Sequence, residues 1–418
     1  MTSHTSAKFQ AVTRRSLRCG LVDLALPDDR HPARVAWRAW LDEHPDPTPR
    51  QLAEAGYVAP HWPRPWGLGA GPVDQLVIDE EIRAAGVHRP SNQIGIGWAG
   101  PTIIHAGTEE QKQRYLLPLL AGEEIWCQLF SEPGAGSDLA GLTTRAVRDG
   151  DEWVVSGQKV WTSLAHLAAF GILLARTDPD APKHRGISYF ICPMQAPGLT
   201  VRPIVDMTGD HSFNEVFFDD VRIPAANLVG EVNQGWTLAK VTLGNERVSL
   251  SGERALWGMG PTADDLVREV RTAARPLSPL LRQRLAQVWA EGEVLRLIRL
   301  RTIGAALSGR SPGPEASVRK ALADLHGQHV MELGKDLAGA GGMLVASGPG
   351  GTHDVPGGWP ALAWGKGHSF ARALTIGGGT SEVQRNIVAE RVLGLPHEPG
   401  LDGATGPSPV APARKNTT

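Results

Sequence analysis

The chain of 418 residues carries 42 Lys and Arg against 44 Asp and Glu, which leaves a formal net charge of −2 at pH 7. Such a length suffices for a large core divided between two or three domains. The near-balanced charge gives no electrostatic case for nucleic acid or a membrane surface as a partner. The longest apolar run, residues 167–175, is also much shorter than the ~20 residues that a membrane-spanning helix needs.

Cysteine and histidine usage bears on the cellular compartment and on metal binding. The three cysteines, Cys19, Cys127 and Cys192, are odd in number and widely spaced, which argues against a disulfide framework and for a reducing compartment. We therefore expect a cytoplasmic protein. Neither these cysteines nor the 14 histidines have the spacing typical of a zinc site, so we expect no metal.

The two ends of the chain have the composition of tails. The first 22 residues lack acidic side chains and carry Arg14, Arg15 and Arg18. A transit peptide has such a composition, but we prefer a flexible N-terminal segment over residues 1–32. Residues 397–418 are rich in Pro, Gly and Ala without periodicity, which predicts a disordered tail.

Three regimes follow one another between the tails. Residues 33–124 show helical spacing interrupted by proline and glycine, residues 125–232 consist of short strand-like runs, and residues 233–396 are helical again. We predict an α+β protein with a helical N-terminal domain, a central β-domain and a helical C-terminal domain over these ranges. Predicted helices are residues 73–85, 109–120, 235–257, 279–307, 314–338 and 381–393; predicted strands are residues 125–130, 153–163, 171–177, 186–194, 199–204 and 215–223; residues 61–71 and 340–367 are predicted loops.

Two short motifs stand at the ends of predicted strands. Residues 131–138 read Ser-Glu-Pro-Gly-Ala-Gly-Ser-Asp, and small residues in such a turn let the backbone approach a ligand closely and donate its N–H groups. Residues 161–163 read Trp-Thr-Ser, which places an aromatic plane beside two hydroxyls and suits a flat, hydrogen-bonding cofactor. By residue chemistry alone, an ordinary glycine-rich hairpin is the simpler interpretation.

Taken whole, residues 126–163 closely resemble the flavin-binding signature of the acyl-CoA dehydrogenase family, and residues 376–396 are similar to that family's C-terminal loop and last helix. The resemblance extends over roughly residues 35–396. It implies an acyl-CoA dehydrogenase-like fold, in which a helical N-terminal domain and a four-helix-bundle C-terminal domain flank a β-barrel or sandwich. It also implies an enzyme that removes a proton and a hydride from an acyl-CoA to form a trans-2-enoyl-CoA.

The resemblance implies FAD as the cofactor, with hydride transfer to flavin N5, and an electron-transferring flavoprotein as the acceptor of its electrons. By matching position, the FAD contacts are Phe130, Ser131, Trp161, Ser163, Gly339, Gly342, Thr380 and Glu382. Gly136 and Ser137 match positions near the CoA part of the substrate. Because the family completes its flavin site across a subunit boundary, we expect a homo-oligomer or a hetero-oligomer with a related chain.

The residue that would take the substrate's α-proton is less straightforward. Many members of the family use a glutamate in a loop that here reads Gly-Gly-Gly-Thr over residues 377–380, so that Gly378 stands at the glutamate's position. Glycine has no titratable side chain and cannot act as a base. Either the chain is non-catalytic, or the carboxylate comes from another element and Gly378 leaves room for a bulky acyl chain.

A second branch of the family, the isovaleryl and long-chain type, carries its glutamate on the first long helix of the C-terminal domain, just before an arginine. Glu246 and Arg247 match that pair, and Glu246 shares a helical stripe with Ala239, Leu243 and Leu250. This pattern predicts a partly desolvated carboxylate with a raised pKa. We therefore interpret Glu246 as the base and Arg247 as its orienting neighbour. The alternative is a helix salt bridge, for instance to Arg247 or Arg254, which would be worth under ~1 kcal/mol if exposed.

One stretch departs from the family pattern. Residues 258–279 are rewritten where many members place an arginine that reaches the flavin of a neighbouring subunit, and Arg268 and Arg275 are candidates for that contact. The rewritten stretch is similar to an actinobacterial subgroup that handles bulky acyl-CoAs, sometimes as mixed-subunit complexes. Three alternatives stay open: a non-catalytic FAD-binding subunit of a hetero-oligomeric dehydrogenase, a flavin monooxygenase or oxidase of this fold, and a dehydrogenase of acyl groups on a carrier protein.

Overall fold

The computed structural model describes residues 27–250, 255–257, 260–273, 276–307, 313–314, 316–343 and 361–396, excluding the side chains of residues 247–250, 303–307 and 361–363. Most of the predicted N-terminal segment and the whole predicted tail therefore lie outside the described residues. The described residues form a helical part, a sheet and a second helical part, in that order along the chain. This order confirms the predicted α+β class.

The helices of the N-terminal part begin at prolines and polar caps. They are α1 (Pro32–Glu43), α2 (Pro49–Glu54), α3 (Pro72–Ala84), α4 (Gly100–Ala106) and α5 (Glu109–Leu120). Proline stands at the start of α1, α2 and α3, where its missing N–H would have no intrahelical partner. Thr108 and Gln111 cap α5 reciprocally, each side chain accepting a hydrogen bond from the other's backbone N–H. The predicted helix over residues 109–120 is confirmed.

The central part is one eight-stranded sheet. Its strands are β1 (Trp126–Leu129), β2 (Arg145–Asp149), β3 (Glu152–Ser163), β4 (Phe170–Arg176), β5 (Ile187–Pro193), β6 (Leu199–Ile204), β7 (Phe213–Pro224) and β8 (Leu228–Val229). The strand order is β6-β7-β3-β2-β4-β5-β8, with β1 paired in parallel to β4. The six predicted strands are all present, and β6 has the predicted bounds.

The central strands are covered on both faces, which explains their continuous apolar sequence. Along β4 and β5 successive side chains point to opposite faces. Ile172 and Tyr189 belong to a core cluster shared with the N-terminal helices, whereas Leu173 and Phe190 belong to a second cluster inside the β-domain. One face of the sheet therefore packs against the N-terminal helices, and the other face forms the core of the β-domain itself.

The described helices of the C-terminal part are α6 (Gly235–Leu250), α7 (Ala263–Ala273), α8 (Pro279–Leu307), α9 (Ala316–Ala338), α10 (Ala361–Phe370) and α11 (Ser381–Ile387). Helix α8 has the predicted bounds. Helix α6 ends earlier than predicted, and Trp257, the last residue of the predicted helix, has a φ of 48°, outside the helical region. Among the described residues, no helix combines the length and the apolarity that crossing a membrane requires.

Helix α10 contradicts part of the predicted loop over residues 340–367. The glycines of this stretch favoured a loop, but Trp364 is buried in α10 and lies against α9. A Cβ added at Gly334 of α9 would meet the Trp364 ring at 2.1 Å. Burial of a large aromatic side chain therefore overrides the weak helix propensity of glycine. Helix α7 was also not predicted, although Thr262 and Asp265 form a local cap at its start.

Candidate active site

The carboxylate of Glu246 lies at the boundary between α6 and the sheet. Glu246 is only 6% exposed. Gln128 in β1 donates a hydrogen bond from Nε2 to Glu246 Oε2 at 3.4 Å. The predicted burial of this carboxylate is therefore confirmed, and β1 is the strand that it faces. The side chains of Arg247 and Arg254 lie outside the described residues.

The strand that faces Glu246 is followed directly by two residues predicted to contact a flavin, Phe130 and Ser131. Their carbonyl groups are held from β3, because Lys159 Nζ donates to Phe130 O at 2.9 Å and Val160 N–H donates to Ser131 O at 2.9 Å. Phe130 is buried, and Ser131 is partly exposed. The ends of β1 and β3 thus form one wall, which we call the strand-end wall and define as Phe130, Ser131, Trp161 and Ser163.

A buried ion pair stands directly behind this wall. Lys159 is fully buried, and its Nζ lies 2.8 Å from Glu132 Oε1. The Glu132 carboxylate also accepts hydrogen bonds from the Thr143 N–H, the Thr143 hydroxyl and the Thr144 N–H. Glu132 therefore connects the beginning of the glycine-rich turn to Thr143 and Thr144, which precede β2. Lys159 connects the Glu132 carboxylate to the Phe130 carbonyl, directly after β1.

The environment of this pair shifts both pKa values. Burial alone would raise the pKa of Glu132, but the charge of Lys159 and the hydrogen bonds from Lys159, Thr144 and Thr143 outweigh it and lower the pKa to about 2. Burial lowers the pKa of Lys159 to about 8 against the attraction of Glu132. The carboxylate accepts hydrogen bonds from Lys159, Thr143 and Thr144 that favour its charge, whereas the ammonium gains from Glu132 less than burial costs it. Both groups are charged at neutral pH.

The glycine-rich turn is open on its outer side. Glu132 and Ala135 bond to each other through their backbones, and Gly136 and Ser137 are exposed beyond them. A Cβ added at Gly134 or Gly136 would meet no protein atom within 4 Å. The protein's own packing therefore does not require these glycines, and the space outside them can receive a ligand that approaches the backbone.

Trp161 presents a large flat surface beside the strand-end wall. It has a φ of 59° at an irregularity between β3 and β7, and it is 59% exposed. Left-handed backbone is uncommon for a bulky residue and is found at functional sites. Its ring meets Phe213 edge-on at 6.1 Å between centroids, and Ser163 is paired with Phe213 across the two strands. An exposed indole held in a strained conformation is suited to stacking on a planar ligand.

The C-terminal glycine loop has a shape that glycine makes possible. Gly378 and Gly379 have φ values of 70° and 91°, and the side-chain amide of Gln384 donates to both of their carbonyls at 3.1 and 3.2 Å. Thr380 caps α11 by accepting a hydrogen bond from the Val383 N–H. Glu382 is exposed in the first turn of α11. A side chain at position 378 would cost about 1–2 kcal/mol in left-handed backbone.

The second glycine turn follows α9. Gly339 is exposed with a φ of 60°, whereas Gly342 is buried and a Cβ there would meet Lys335 O at 2.3 Å. The protein's own packing thus requires Gly342. Of the two arginines proposed for an inter-subunit contact, Arg268 is exposed and pairs with Asp265 at 2.8 Å, and Arg275 lies outside the described residues.

Two aromatic residues join the strand-end wall to the C-terminal part. Phe213, beside Trp161, packs against the core cluster of the C-terminal helices. Trp257 packs against the same cluster, and a Cβ added at Gly377 would meet its ring at 2.7 Å. The Trp257 indole nitrogen is buried without a hydrogen-bond partner among the described residues. The glycine loop and the strand-end wall are therefore each connected, through Trp257 and Phe213, to the core cluster of the C-terminal helices.

Sequence reasoning missed several residues of this region. Gln128, Glu132, Lys159, Trp257 and Gln384 support or line the site, yet none was predicted to do so. Lys159 alternates along its strand with Trp153 and Val155 on the same face, which is the local signal that its ammonium would be buried and would need a partner. Among the described residues, no group of three or more His, Cys, Asp or Glu side chains could hold a metal ion.

Comparison with known proteins assigns the family. Sequence models of the acyl-CoA dehydrogenase N-terminal, middle and C-terminal domains match residues 28–123, 127–221 and 233–393. The chain belongs to the acyl-CoA dehydrogenase family of oxidoreductases, as the two sequence segments predicted, and the predicted fold is confirmed. Members of this family are flavoproteins.

Among its relatives is the acyl-CoA dehydrogenase FadE34 of Mycobacterium tuberculosis, 42% identical over 393 residues, which are 94% of this chain and 52% of FadE34. The chain thus spans about half the length of FadE34. The acyl-CoA dehydrogenase IpdE1 of the same organism is 40% identical over 381 residues, which are 90% of this chain and 93% of IpdE1.

Solved structures show the same fold. The Tcur3481-Tcur3483 steroid ACAD has 34% identity and a TM-score of 0.71, with 84% of this chain and 88% of that chain covered. The ChsE4-ChsE5 complex from Mycobacterium tuberculosis has 33% identity and a TM-score of 0.71, with 90% of this chain and 100% of that chain covered.

Proposed function

We propose that this protein is an FAD-dependent acyl-CoA dehydrogenase that forms a trans-2-enoyl-CoA, with Glu246 as the base. The observation that carries the proposal is the buried Glu246 carboxylate, which faces the strand whose end forms the strand-end wall. When bound, FAD supplies the acceptor for the hydride that leaves the β-carbon. The Glu246 carboxylate takes the α-proton as that Cα–H bond breaks, and the double bond forms between the two carbons.

The residues around the wall fit a flavin. An exposed indole in left-handed backbone, an adjacent hydroxyl and the open space outside the glycine-rich turn supply a stacking face, polar contacts and room. In the proposal Phe130, Ser131, Trp161 and Ser163 hold the flavin ring. The remaining contacts to FAD are proposed for Thr380, Glu382, Gly339 and Gly342, the last two toward a neighbouring subunit. Arg247 orients the base.

The substrate is proposed to enter between the glycine-rich turn and the glycine loop. Gly136 and Ser137 lie on the exposed side of the turn, where they would meet the CoA part. Gly378 brings no side chain to the place where many family members have a glutamate, so a bulky acyl group has extra room. The likeness to the Tcur3481-Tcur3483 steroid ACAD supports polycyclic acyl-CoAs as the first substrates to test.

The cellular compartment, the electron acceptor and the domain bounds are also proposals. We place the protein in the cytoplasm, with an electron-transferring flavoprotein as the electron acceptor. We divide the chain into an N-terminal helical domain at 33–124, a β-domain at 125–232 and a C-terminal helical domain at 233–396. Monooxygenases and oxidases of this fold generally lack a base in the pocket, so the buried carboxylate disfavours them. Dehydrogenation of acyl groups on a carrier protein is an alternative, and the flavin-bleaching test described next addresses it.

Anaerobic bleaching of the flavin tests the function. The FAD-loaded protein is mixed with a panel of straight-chain, branched and steroid-type acyl-CoAs, together with acyl groups on a carrier protein, and the flavin absorbance is followed. Bleaching by an acyl-CoA with formation of the matching enoyl-CoA supports the proposal. A flavin that no thioester bleaches would contradict it and would favour a non-catalytic FAD-binding subunit, an alternative that the ChsE4-ChsE5 complex makes worth testing.

The strand-end wall predicts the strength of FAD binding. Changing Trp161→Ala together with Ser131→Ala removes a stacking face and a hydroxyl, and should weaken FAD binding at least about tenfold, which corresponds to about 1.4 kcal/mol. Because Trp161 is mostly exposed, the melting temperature of the FAD-free protein should hardly change. Leu167→Ala, which truncates another exposed side chain of the same region, is the matched control. Equal FAD affinity in the double variant and the control would refute the placement.

The C-terminal helices predict an oligomer. Helices α8 and α9 run antiparallel, as the pairs Arg284–Asp336 and Glu291–His329 show, and expose the apolar side chains Val294, Leu297, Leu322 and Leu325. We expect a dimer or tetramer by light scattering, alone or with a related chain. Leu322→Glu with Leu325→Glu should lower the mass, whereas Val35→Glu on α1 should not. A monomer that binds FAD tightly would contradict this expectation.

A further inference from the structure

Three buried hydroxyls meet where the three parts of the chain join. Thr102 of α4, Tyr189 of β5 and Thr242 of α6 are each fully buried. Thr102 Oγ1 and Thr242 Oγ1 are 2.8 Å apart, and Tyr189 Oη lies 3.1 Å from Thr242 Oγ1. We call these residues the hydroxyl triad. It connects an N-terminal helix, a central strand and the helix that carries Glu246 at a single point.

The triad is fully satisfied by hydrogen bonds. Each hydroxyl has one proton to donate and can accept from a neighbour. If Tyr189 donates to Thr242 and Thr242 donates to Thr102, the Thr102 hydroxyl is left to donate to Trp98 O at 3.0 Å. Leu238 O, 3.2 Å from Thr242 Oγ1, is a second acceptor for the Thr242 proton within α6. Every hydroxyl proton is then used once. A buried chain of this kind holds its elements in one arrangement, since an unpaired member would be costly.

Helix α6 is attached to β5 at a second place. A Cβ added at Gly235, the first residue of α6, would meet the backbone of Ser188 at 2.5 Å. The Asn233 N–H, just before the helix, donates to Ser188 Oγ at 2.8 Å. Thus the start of α6 rests on Ser188, and its third turn is bonded to the neighbouring residue, Tyr189. Two attachments to one strand fix both the position and the rotation of the helix.

The triad also reaches the strand-end wall and the base. The ring of Tyr189 packs edge-on against Phe130, with centroids 6.1 Å apart and an angle of 86° between the planes. Thr242 precedes Glu246 by four residues, so the two lie on one side of α6 about 6 Å apart along the helix axis. A continuous path of contacts therefore runs from Phe130 through Tyr189 and Thr242 to the helical turn that carries Glu246.

We propose that the Tyr189–Thr242 hydrogen bond positions α6, and with it the Glu246 carboxylate, relative to the strand-end wall. Tyr189 and Thr242 are positioning residues in this proposal, which rests on the proposed function because it presumes a flavin at the wall and a substrate beside Glu246. The alignment matters because a displacement of about 1 Å can cost 10²-fold in rate. Removing the bond leaves the base present but poorly aligned with the α-proton.

The test uses variants that delete single hydroxyls. Tyr189→Phe keeps the ring on Phe130, and Thr242→Val keeps the shape of the threonine. In the FAD-loaded protein, each should slow flavin reduction by an acyl-CoA about 10- to 100-fold, without loss of FAD. The isotope effect of an α-deuterated substrate should rise, since proton abstraction becomes more rate-limiting. Thr242→Ser, which restores the hydroxyl, should recover most of the rate lost in Thr242→Val.

The control is Ser317→Ala in α9. Its hydroxyl is also fully buried but has no hydrogen-bond partner among the described residues, so its removal reports the loss of a buried hydroxyl alone. The control should leave the rate and the isotope effect unchanged. If Thr242→Val is poorly folded, Tyr189→Phe still decides, because every apolar contact of the ring is retained.

The outcomes separate this inference from the proposed function. If the unaltered protein reduces its flavin with an acyl-CoA, and Tyr189→Phe does so at the same rate with the same α-deuterium isotope effect, the positioning role is overturned and the proposed function stands. If the unaltered protein reduces its flavin with none of the thioesters, the proposed function fails and the positioning role falls with it.

Discussion

Glu246→Gln is expected to slow substrate-dependent flavin reduction by about 10²–10⁴-fold, the contribution typical of a positioned general base. Glutamine has nearly the same shape as glutamate, so the contact with Gln128 on β1 can be kept by an amide pair. The fold and the FAD content should therefore be preserved. Stopped-flow measurement of flavin absorbance, with the most effective acyl-CoA of the panel, gives the rate of the reductive step.

The matched control is Glu269→Gln, which removes an exposed carboxylate from α7 in the same part of the chain. It should reduce its flavin at the rate of the unaltered protein. Equal rates for Glu246→Gln and the unaltered protein would show that Glu246 is not the base. The non-catalytic and monooxygenase alternatives would then be preferred.

Moving the carboxylate to the glycine loop should restore only part of the rate. The double variant Glu246→Gly with Gly378→Glu places the base where many family members have it. However, Gly378 has a φ of 70°, and a side chain in that backbone costs about 1–2 kcal/mol. The loop must therefore change shape before the new carboxylate can act, which limits the expected recovery.

Lys159→Met is expected to destabilise the protein by about 3–5 kcal/mol, because it leaves the Glu132 carboxylate buried without its cation. It also removes the hydrogen bond that holds Phe130 O, so FAD should be retained poorly. Urea unfolding and FAD content measure the two effects. Lys159→Met combined with Glu132→Gln removes both charges and should lose less stability than Lys159→Met alone.

The control for this pair is Lys183→Met. Lys183 Nζ lies 3.0 Å from Asp138 Oδ2 in an ion pair of the same domain, and both side chains are exposed. Exposed ion pairs contribute about 0–1 kcal/mol, so little change is expected. The same loss of stability in Lys159→Met and Lys183→Met would refute a special role for the buried pair.

The buried pair also predicts a pH dependence. The pKa of Glu132 is lowered from 4.5 to about 2 in the folded protein, so the unfolded chain binds its proton at higher pH than the folded chain does. The stabilisation is complete above the unfolded pKa and is lost as the pH falls from 4.5 toward 2. In urea titrations, the stability difference between the unaltered protein and the Lys159→Met, Glu132→Gln double variant should shrink across this window. A constant difference would contradict the assignment.

Local sequence signals determined much of the secondary structure and were enough to identify the family. The helix over residues 109–120 is set by its Thr108 cap and apolar spacing, and the strand over residues 199–204 by its position between turns. The two segments that resemble acyl-CoA dehydrogenases led to the fold, because they stand at the ends of strands and at the start of a helix that the family uses. All of these signals lie within a few residues of the feature they predict.

The tertiary structure decided what distant residues do together. Helix α10 exists because Trp364 is buried against Gly334, and no local pattern in its glycine-rich sequence reports that contact. Glu246 meets Gln128 across 118 positions of the chain, and the triad joins Thr242 to Thr102 across 140. Burial and pairing of polar groups depend on the whole packed chain, so the sequence alone could suggest Glu246 as the base but could not reveal the residues that hold it in place.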